Sequence, residues 1–195
     1  MPTFEEIIRH REPDPTENPW VNGPPPSEAI TIVPYDPLWP RRFSVLAGDI
    51  RAALGDAVLD IEHVGSTAVE GLAAKDVIDI VLTVADSRQE SVYVPPLEHL
   101  GYYLTIREPS FHEHRCLRLA DPRVNLHVFG PHCPETIRLR MFRDWLRDHP
   151  EDRALYEDAK RAAIPGGGNV MDYNARKQQA IREIYDRLFR ALGMK

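Results

Sequence analysis

The chain has 195 residues, 43% of them hydrophobic and 28% charged, with a formal charge of −6, which suits one domain with a possible appended lobe and needs no covalent staple. The acidic balance argues against a non-specific nucleic-acid backbone partner, and no run approaches the ~18 apolar residues of a membrane span. Cys116 and Cys133 show neither metal-ligand spacing nor a disulfide framework, so the expected setting is reducing and cytoplasmic.

In chain order, Thr3 followed by Glu6 is a capping-box signal for a short helix over 3–10, with Glu5, Glu6 and Arg9 standing where a secretory leader would be apolar. Residues 11–29, including Pro24-Pro25-Pro26, read as an irregular arm. A short strand is expected at 30–33. The spacing of Phe43, Leu46, Ile50, Ala53 and Leu54 predicts an amphipathic helix stopped by Gly55. Val58–Val64 is a strand, 65–75 a Gly- and Ala-rich turn with one helical turn, and Val77–Val84 the strongest strand pattern. That last run, V-I-D-I-V-L-T-V, is apolar enough to be covered on both faces, so Asp79 inside it needs a partner.

A short helix is expected over 95–100, then strands over 102–106, 112–119 and 124–129. Asp121-Pro122 makes the last two a hairpin. Three helices follow: Pro134–Arg147, with Ile137, Met141, Phe142, Trp145 and Leu146 as its apolar stripe; Glu151–Ile164; and, after the flexible Gly166-Gly167-Gly168 link, Asp172–Leu192. Residues 134–195 carry 13 basic and 10 acidic side chains, a modest basic excess facing either solvent or an anionic ligand. The division is an arm over 1–29, an α/β core over 30–133 and a helical extension over 134–195.

The run H-V-G-S-T-A-V-E-G-L-A-A-K-D-V-I-D, from His63 to Asp79, carries the main chemical signal. Gly65 and Ser66 directly after a strand let backbone amides approach an anion, and a helical turn aims its free N–H groups the same way. Ser66 and Thr67 add hydroxyls, and Lys75 pairs with phosphate or with Asp79. Asp79 on the next strand is placed to hold a divalent cation bridging phosphate oxygens. The plainer alternative is a tight turn with a capping serine and a structurally paired aspartate.

The same run, continued as I-V-L-T-V, resembles the signature of the GrpB family, which is related to the DNA-polymerase-beta-like nucleotidyltransferase superfamily. Y-D-P-L-W-P from Tyr35, V-N-L-H-V-F from Val124, M-F-R-D-W-L from Met141, Tyr156 with Lys160, and D-Y-N-A-R-K from Asp172 resemble the family's other segments, in order, over roughly residues 30–191. The resemblance implies a nucleotidyltransferase-like mixed sheet core with a C-terminal helical part. It also implies a Gly-Ser turn followed by two carboxylates two residues apart, which share a strand face and hold cations for phosphoryl or nucleotidyl transfer. Gly65, Ser66 and Asp79 match, whereas Val81 stands at the second acid. Glu62, Glu113 or His127 on neighbouring strands are the candidate replacements as ligands to magnesium or another divalent metal.

His63 precedes the turn, His112 and His114 alternate onto one strand face, and His127 lies on the next strand, so His112, His114 and His127 form a cluster if the hairpin register allows. Arg115, opposite His114, is a candidate clamp for phosphate or carboxylate. Tyr156 with Lys160 and Tyr173 with Lys177 share helix faces at four-residue spacing. They either bracket an anionic ligand or pack between helices with the lysine stems beside the rings. Taken together, Asp79, His127 and Arg115 are the candidate catalytic residues. The candidate ligand-binding residues are His63, Gly65, Ser66, Thr67, Lys75, Tyr156, Lys160, Tyr173 and Lys177. The functional expectation is a metal-dependent nucleotidyl or phosphoryl transferase acting on a phosphorylated or anionic small molecule. Its alternatives are a binding domain without the transfer chemistry and a partner-binding module using the N-terminal arm.

Overall fold

The V-I-D-I-V-L-T-V run forms a central strand, β2 (Ile78–Thr83), in a mixed five-stranded sheet. The other strands are β1 (Asp60–Val64), β3 (Tyr103–Glu108), β4 (His114–Leu119) and β5 (Val124–Phe129), in the order β1-β2-β5-β4-β3. The computed structural model describes residues 1–11, 14, 16–24, 29–164 and 170–195, without the side chains of 170–172. Most of the proline run at Pro24-Pro25-Pro26 and the whole Gly166-Gly167-Gly168 link lie outside the described residues.

β2 runs antiparallel to β1 and parallel to β5, and β4 is antiparallel to both β5 and β3. Period-2 alternation divides the side chains of β2. Ile78, Ile80 and Leu82 enter the main core with Trp39, Leu46, Ile50 and Leu54 of α2 (Trp39–Leu54) and Tyr93 and Leu97 of α3 (Glu90–His99). Asp79, Val81 and Thr83 take the other face, in register with Asn125, His127 and Phe129 of β5. Ile80 is wholly buried. Ile80→Ala is therefore expected to lower unfolding free energy by ~2–5 kcal/mol, read as a lower urea midpoint at an unchanged m-value.

α3 starts at Glu90, five residues before the expected start, and carries Pro95 and Pro96 inside it. The burial of Tyr93 and Leu97 against the core offsets the backbone bonds lost at the two prolines. β4 begins at His114 and not at 112, because His112 and Glu113 both adopt φ of 55° and leave the extended region. The strand expected at 30–33 is reduced to a single bridge between Val33 and Ala74.

The C-terminal part is helical: α4 (Pro134–Asp148), α5 (Pro150–Ala162) and α6 (Val170–Ala191). Buried Asp152 ties the three together, accepting from Trp145 Nε1 at 2.7 Å and from Arg187. Leu146, Tyr156 and Ile184 pack with Val69 and Leu72 of the turn after β1, which seats these helices over the Gly65–Asp79 segment. At the N-terminus, α1 (Phe4–Ile8) has the expected Thr3–Glu6 capping box and buries Ile7 against Leu188 and Phe189. Backbone bonds from Val21 N–H to Thr105 and from Arg107 N–H to Pro19 attach the arm to β3. Among the described residues no helix is long and apolar enough to cross a membrane.

Candidate functional site

β1 ends at Val64, and Gly65 turns the chain with φ 70° and ψ −170°, a region essentially restricted to glycine. The turn passes so close to β2 that a Cβ on Gly65 would lie 2.5 Å from Asp79 Oδ2. Glycine is thus required twice, for its dihedrals and for the space it leaves to the carboxylate. Ser66–Ala68 then forms one 3₁₀ turn.

His63 and Thr67 secure this turn from the opposite face of the sheet. The Thr67 hydroxyl donates to Val77 O at 3.2 Å, so the His63 Nε2–H donates to Thr67 Oγ1 at 3.0 Å. Burial, with Arg147 and Arg143 nearby and Asp79 opposing, pushes the His63 imidazole down to about 4. The ring stacks on Phe43 at 4.8 Å. These two candidate ligand-binding residues hold the turn to β2, with their hydrogen bonds made inside the fold.

On the site face, Asp79 accepts from Asn125 Nδ2 at 2.8 Å and lies 3.9 Å from His127 Nε2. Burial opposes ionisation of Asp79, but His127, Asn125 and Lys75 more than offset it and hold the carboxyl below its usual range. His127 Nδ1 meets His114 Nε2 at 3.0 Å, and His114 Nδ1 meets Glu108 Oε2 at 2.6 Å. A continuous line, Glu108–His114–His127–Asp79, therefore crosses the sheet from β3 to β2.

Lysines close the other side. Lys75 Nζ sits 5.1 Å from the Tyr173 ring, and Lys177 Nζ lies 5.1 Å from that ring and 5.7 Å from the Tyr156 ring. Lys177 also donates to the Tyr156 hydroxyl at 3.4 Å. Lys160, only 2% exposed, donates to Ala73 O and lies over the Tyr156 ring at 4.8 Å. Burial and the neighbouring Lys177 push Lys75 down to about 8, with Asp79 pulling the other way, and the same two causes push Lys160 to about 7. The Tyr173 hydroxyl and Arg118 Nε are buried and lack a hydrogen-bond partner among the described residues. Arg118 is in register with Asn125, in the same cross-sheet row as Asp79.

The remaining candidates lie elsewhere. Arg115 points to the opposite face, where it and Arg107 share Glu90 at 2.7 Å, and it reaches Glu113 O at 3.0 Å. Strand alternation separates Arg115 from Asp79, and Glu113 lies in the turn before β4 with its carboxylate 3.5 Å from Arg115. Glu62 does lie on Asp79's face, opposite Val81, but it is held by Arg143 of α4 at 2.6 Å. His112 sits by Arg11 in the turn before β4, outside the His114–His127 line. Val81 is buried with Val64, Phe129 and Cys133. Among the described residues no three His, Cys, Asp or Glu side chains gather to hold an ion. With Val81 apolar and buried, β2 presents Asp79 alone on this face in place of the paired carboxylates that the resemblance implies. Asn125 and Glu108 were missed by sequence reasoning. Two-residue alternation from His127 points to Asn125, whereas no local signal identifies Glu108.

A mixed five-stranded sheet, a Gly-Ser turn facing an acid on the neighbouring strand and a helical part seated over that turn make up the nucleotidyltransferase-like architecture that the resemblance implies. Residues 29–187 match the model of the family described as GrpB protein, and the chain belongs to that family. It is 46% identical over 164 residues to a UPF0157 protein of Halalkalibacterium halodurans, covering 84% of each chain. A dephospho-CoA kinase of Mycolicibacterium paratuberculosis is 31% identical over 185 residues, 81% of this chain and 46% of the kinase. The crystal structure of the conserved protein GrpB from Enterococcus faecalis superposes with a TM-score of 0.68 at 24% identity, over 82% of this chain and 99% of that one, which speaks to the fold.

Proposed function

We propose that this chain binds a phosphorylated small molecule over the Asp79 face and transfers a nucleotidyl or phosphoryl group from it. The observation that carries this reading is the convergence of Lys75, Lys160 and Lys177, from three segments, around Tyr156 and Tyr173. Buried like charges depress one another's proton affinity, and an anion among them restores it. The partnerless Tyr173 hydroxyl and Arg118 Nε add donors suited to phosphate oxygens. The partial likeness to dephospho-CoA kinases supports a phosphorylated, nucleotide-like ligand.

The residues act in two groups. The cations bind and orient the phosphate, and Asp79 with His127 faces the position from which an acceptor approaches. A second reading, binding without transfer, is favoured by Val81, 3% exposed in an apolar cluster where the superfamily pattern has an acid. Calorimetric titration with pyrophosphate, ATP and dephospho-CoA, each with and without magnesium, tests the common part. Lys177→Ala is expected to weaken binding about 10–100-fold, since a hydrogen bond to a charged group contributes ~1.5–3 kcal/mol. No binding of any of the three overturns both readings. Binding with no product across a broad acceptor screen leaves the second.

A further inference from the structure

The line of groups from Glu108 to Asp79 fixes where protons sit. An ionised carboxylate only accepts, so the 2.6 Å contact from Glu108 Oε2 requires a proton on His114 Nδ1. A ring that holds one proton, on Nδ1, has its Nε2 bare. The 3.0 Å contact between His114 Nε2 and His127 Nδ1 then requires the proton on His127 Nδ1. With one proton on the ring, His127 keeps a lone pair on Nε2, 3.9 Å from Asp79 Oδ1. Two acceptors face each other beyond direct hydrogen-bond distance. The gap is complementary to a group that brings its own proton, and Lys75 lies close enough to Asp79 to help hold its carboxyl ionised.

We propose that Glu108 and His114 are positioning residues that lock the proton of His127 on Nδ1, so that His127 Nε2 and Asp79 receive the hydroxyl of an acceptor molecule and Nε2 takes its proton. In the transfer, the acceptor oxygen forms a new P–O bond to the bound phosphoric anhydride as its proton moves to Nε2. The anhydride P–O bond breaks, its electron pair leaves with the departing phosphate, and the imidazolium, steadied by Asp79, returns the proton to that phosphate. His127 lies beside Val81 in the strand register, so a base stands next to the position where the superfamily pattern has its second acid.

The transfer step rests on the function proposed above, but the proton placement does not, and it is testable without any ligand. In full-length protein with ¹⁵N-labelled histidine at about pH 8, where an ordinary imidazole is neutral, long-range ¹H–¹⁵N correlation spectra report each tautomer. His127→Asn assigns the signals. The expected result is a pyridine-like Nε2 and a pyrrole-like Nδ1 on His127. Glu108→Ala should move the proton of His127 toward Nε2, while Glu108→Gln, whose carbonyl still accepts from His114, should preserve the native pattern. Should Glu108→Ala fail to fold, His114→Leu, which removes the acceptor for Nδ1–H, should produce the same shift. A pyrrole-like Nε2 in the wild type, or a His127 pattern indifferent to these changes, overturns the proposal.

Glycerol phosphate and methyl phosphate separate the hydroxyl from the phosphate. Glycerol phosphate is expected to move the His127 Nε2 resonance and methyl phosphate to leave it in place. Equal effects from both, or none from either, overturn the hydroxyl assignment. Failure of phosphate binding alone appears in calorimetry and leaves the tautomers as assigned.

Discussion

Gly65→Ala is expected to destabilise the protein by about 3 kcal/mol and to abolish detectable ligand binding. Two costs add. The backbone at φ 70° and ψ −170° is a conformation that alanine adopts at ~1–3 kcal/mol. The new methyl group would also lie 2.5 Å from Asp79 Oδ2 and 3.1 Å from its Cγ, forcing a displacement that costs ~1–3 kcal/mol in a packed site. Moving Asp79 breaks the 2.8 Å bond from Asn125 and alters the facing of Asp79 and His127. Urea denaturation measures the first effect and calorimetry with pyrophosphate the second. The double variant Gly65→Ala/Asp79→Ala separates the causes. Truncating Asp79 removes the two nearest carboxylate contacts, so the pair should be less destabilised than the sum of the single variants by about 1 kcal/mol. Strict additivity would mean that the turn and the carboxylate do not compete for the same space.

The lysine cluster makes a pH prediction whose sign is fixed by the direction of the shifts. Lys160 falls to about 7 and Lys75 to about 8, both from an ordinary 10.5. Between those values and 10.5 the unfolded chain binds more protons than the folded one, so stability rises with pH across that window. Below about 7 both states are protonated, and the penalty for burying the charge is present in full. Unfolding free energy is thus expected to climb from pH 7 to pH 9, by up to ~1.4 kcal/mol per pH unit for each lysine. Lys160→Met should flatten the climb. That variant also leaves Ala73 O without its donor, at ~1–3 kcal/mol, but this offset is independent of pH and does not disturb the slope. Denaturation series at three pH values decide the matter. An unchanged slope in Lys160→Met would show that the buried ammonium is not the source. The same linkage requires proton uptake when an anion binds near pH 8, because the anion raises both pKa values. Calorimetry in buffers of different ionisation enthalpy measures that uptake.

The local elements and the main chemical segment are legible in the order of the residues. Apolar periodicity placed α2, the Thr3–Glu6 pair placed α1, a β-branched and nearly all-apolar run placed β2, and β5 was expected with the ends it has. These are short-range preferences, legible because the residues that set them are neighbours in the chain. The family signature and the Gly65–Ser66–Asp79 corner were legible for the same reason, since the turn and the acid lie within one run of residues.

Which candidates meet is set by packing and strand register. His127 faces Asp79 because β5 pairs in parallel with β2 in a register that places Asn125 beside Asp79, and nothing within either strand encodes that pairing. Alternation sent Arg115 to the Glu90 network and His114 to His127, although the two are adjacent. The bend at His112 and Glu113 kept His112 out of the line. Lys75, Lys160 and Lys177 converge because three segments pack around two tyrosine rings. The His63–Asp79 segment is divided in the same way. Its histidine and threonine brace the turn, its aspartate faces a histidine supplied by another strand, and its lysine joins charges supplied by two helices. Contacts between segments far apart in sequence depend on packing and register, and those are properties of the assembled fold.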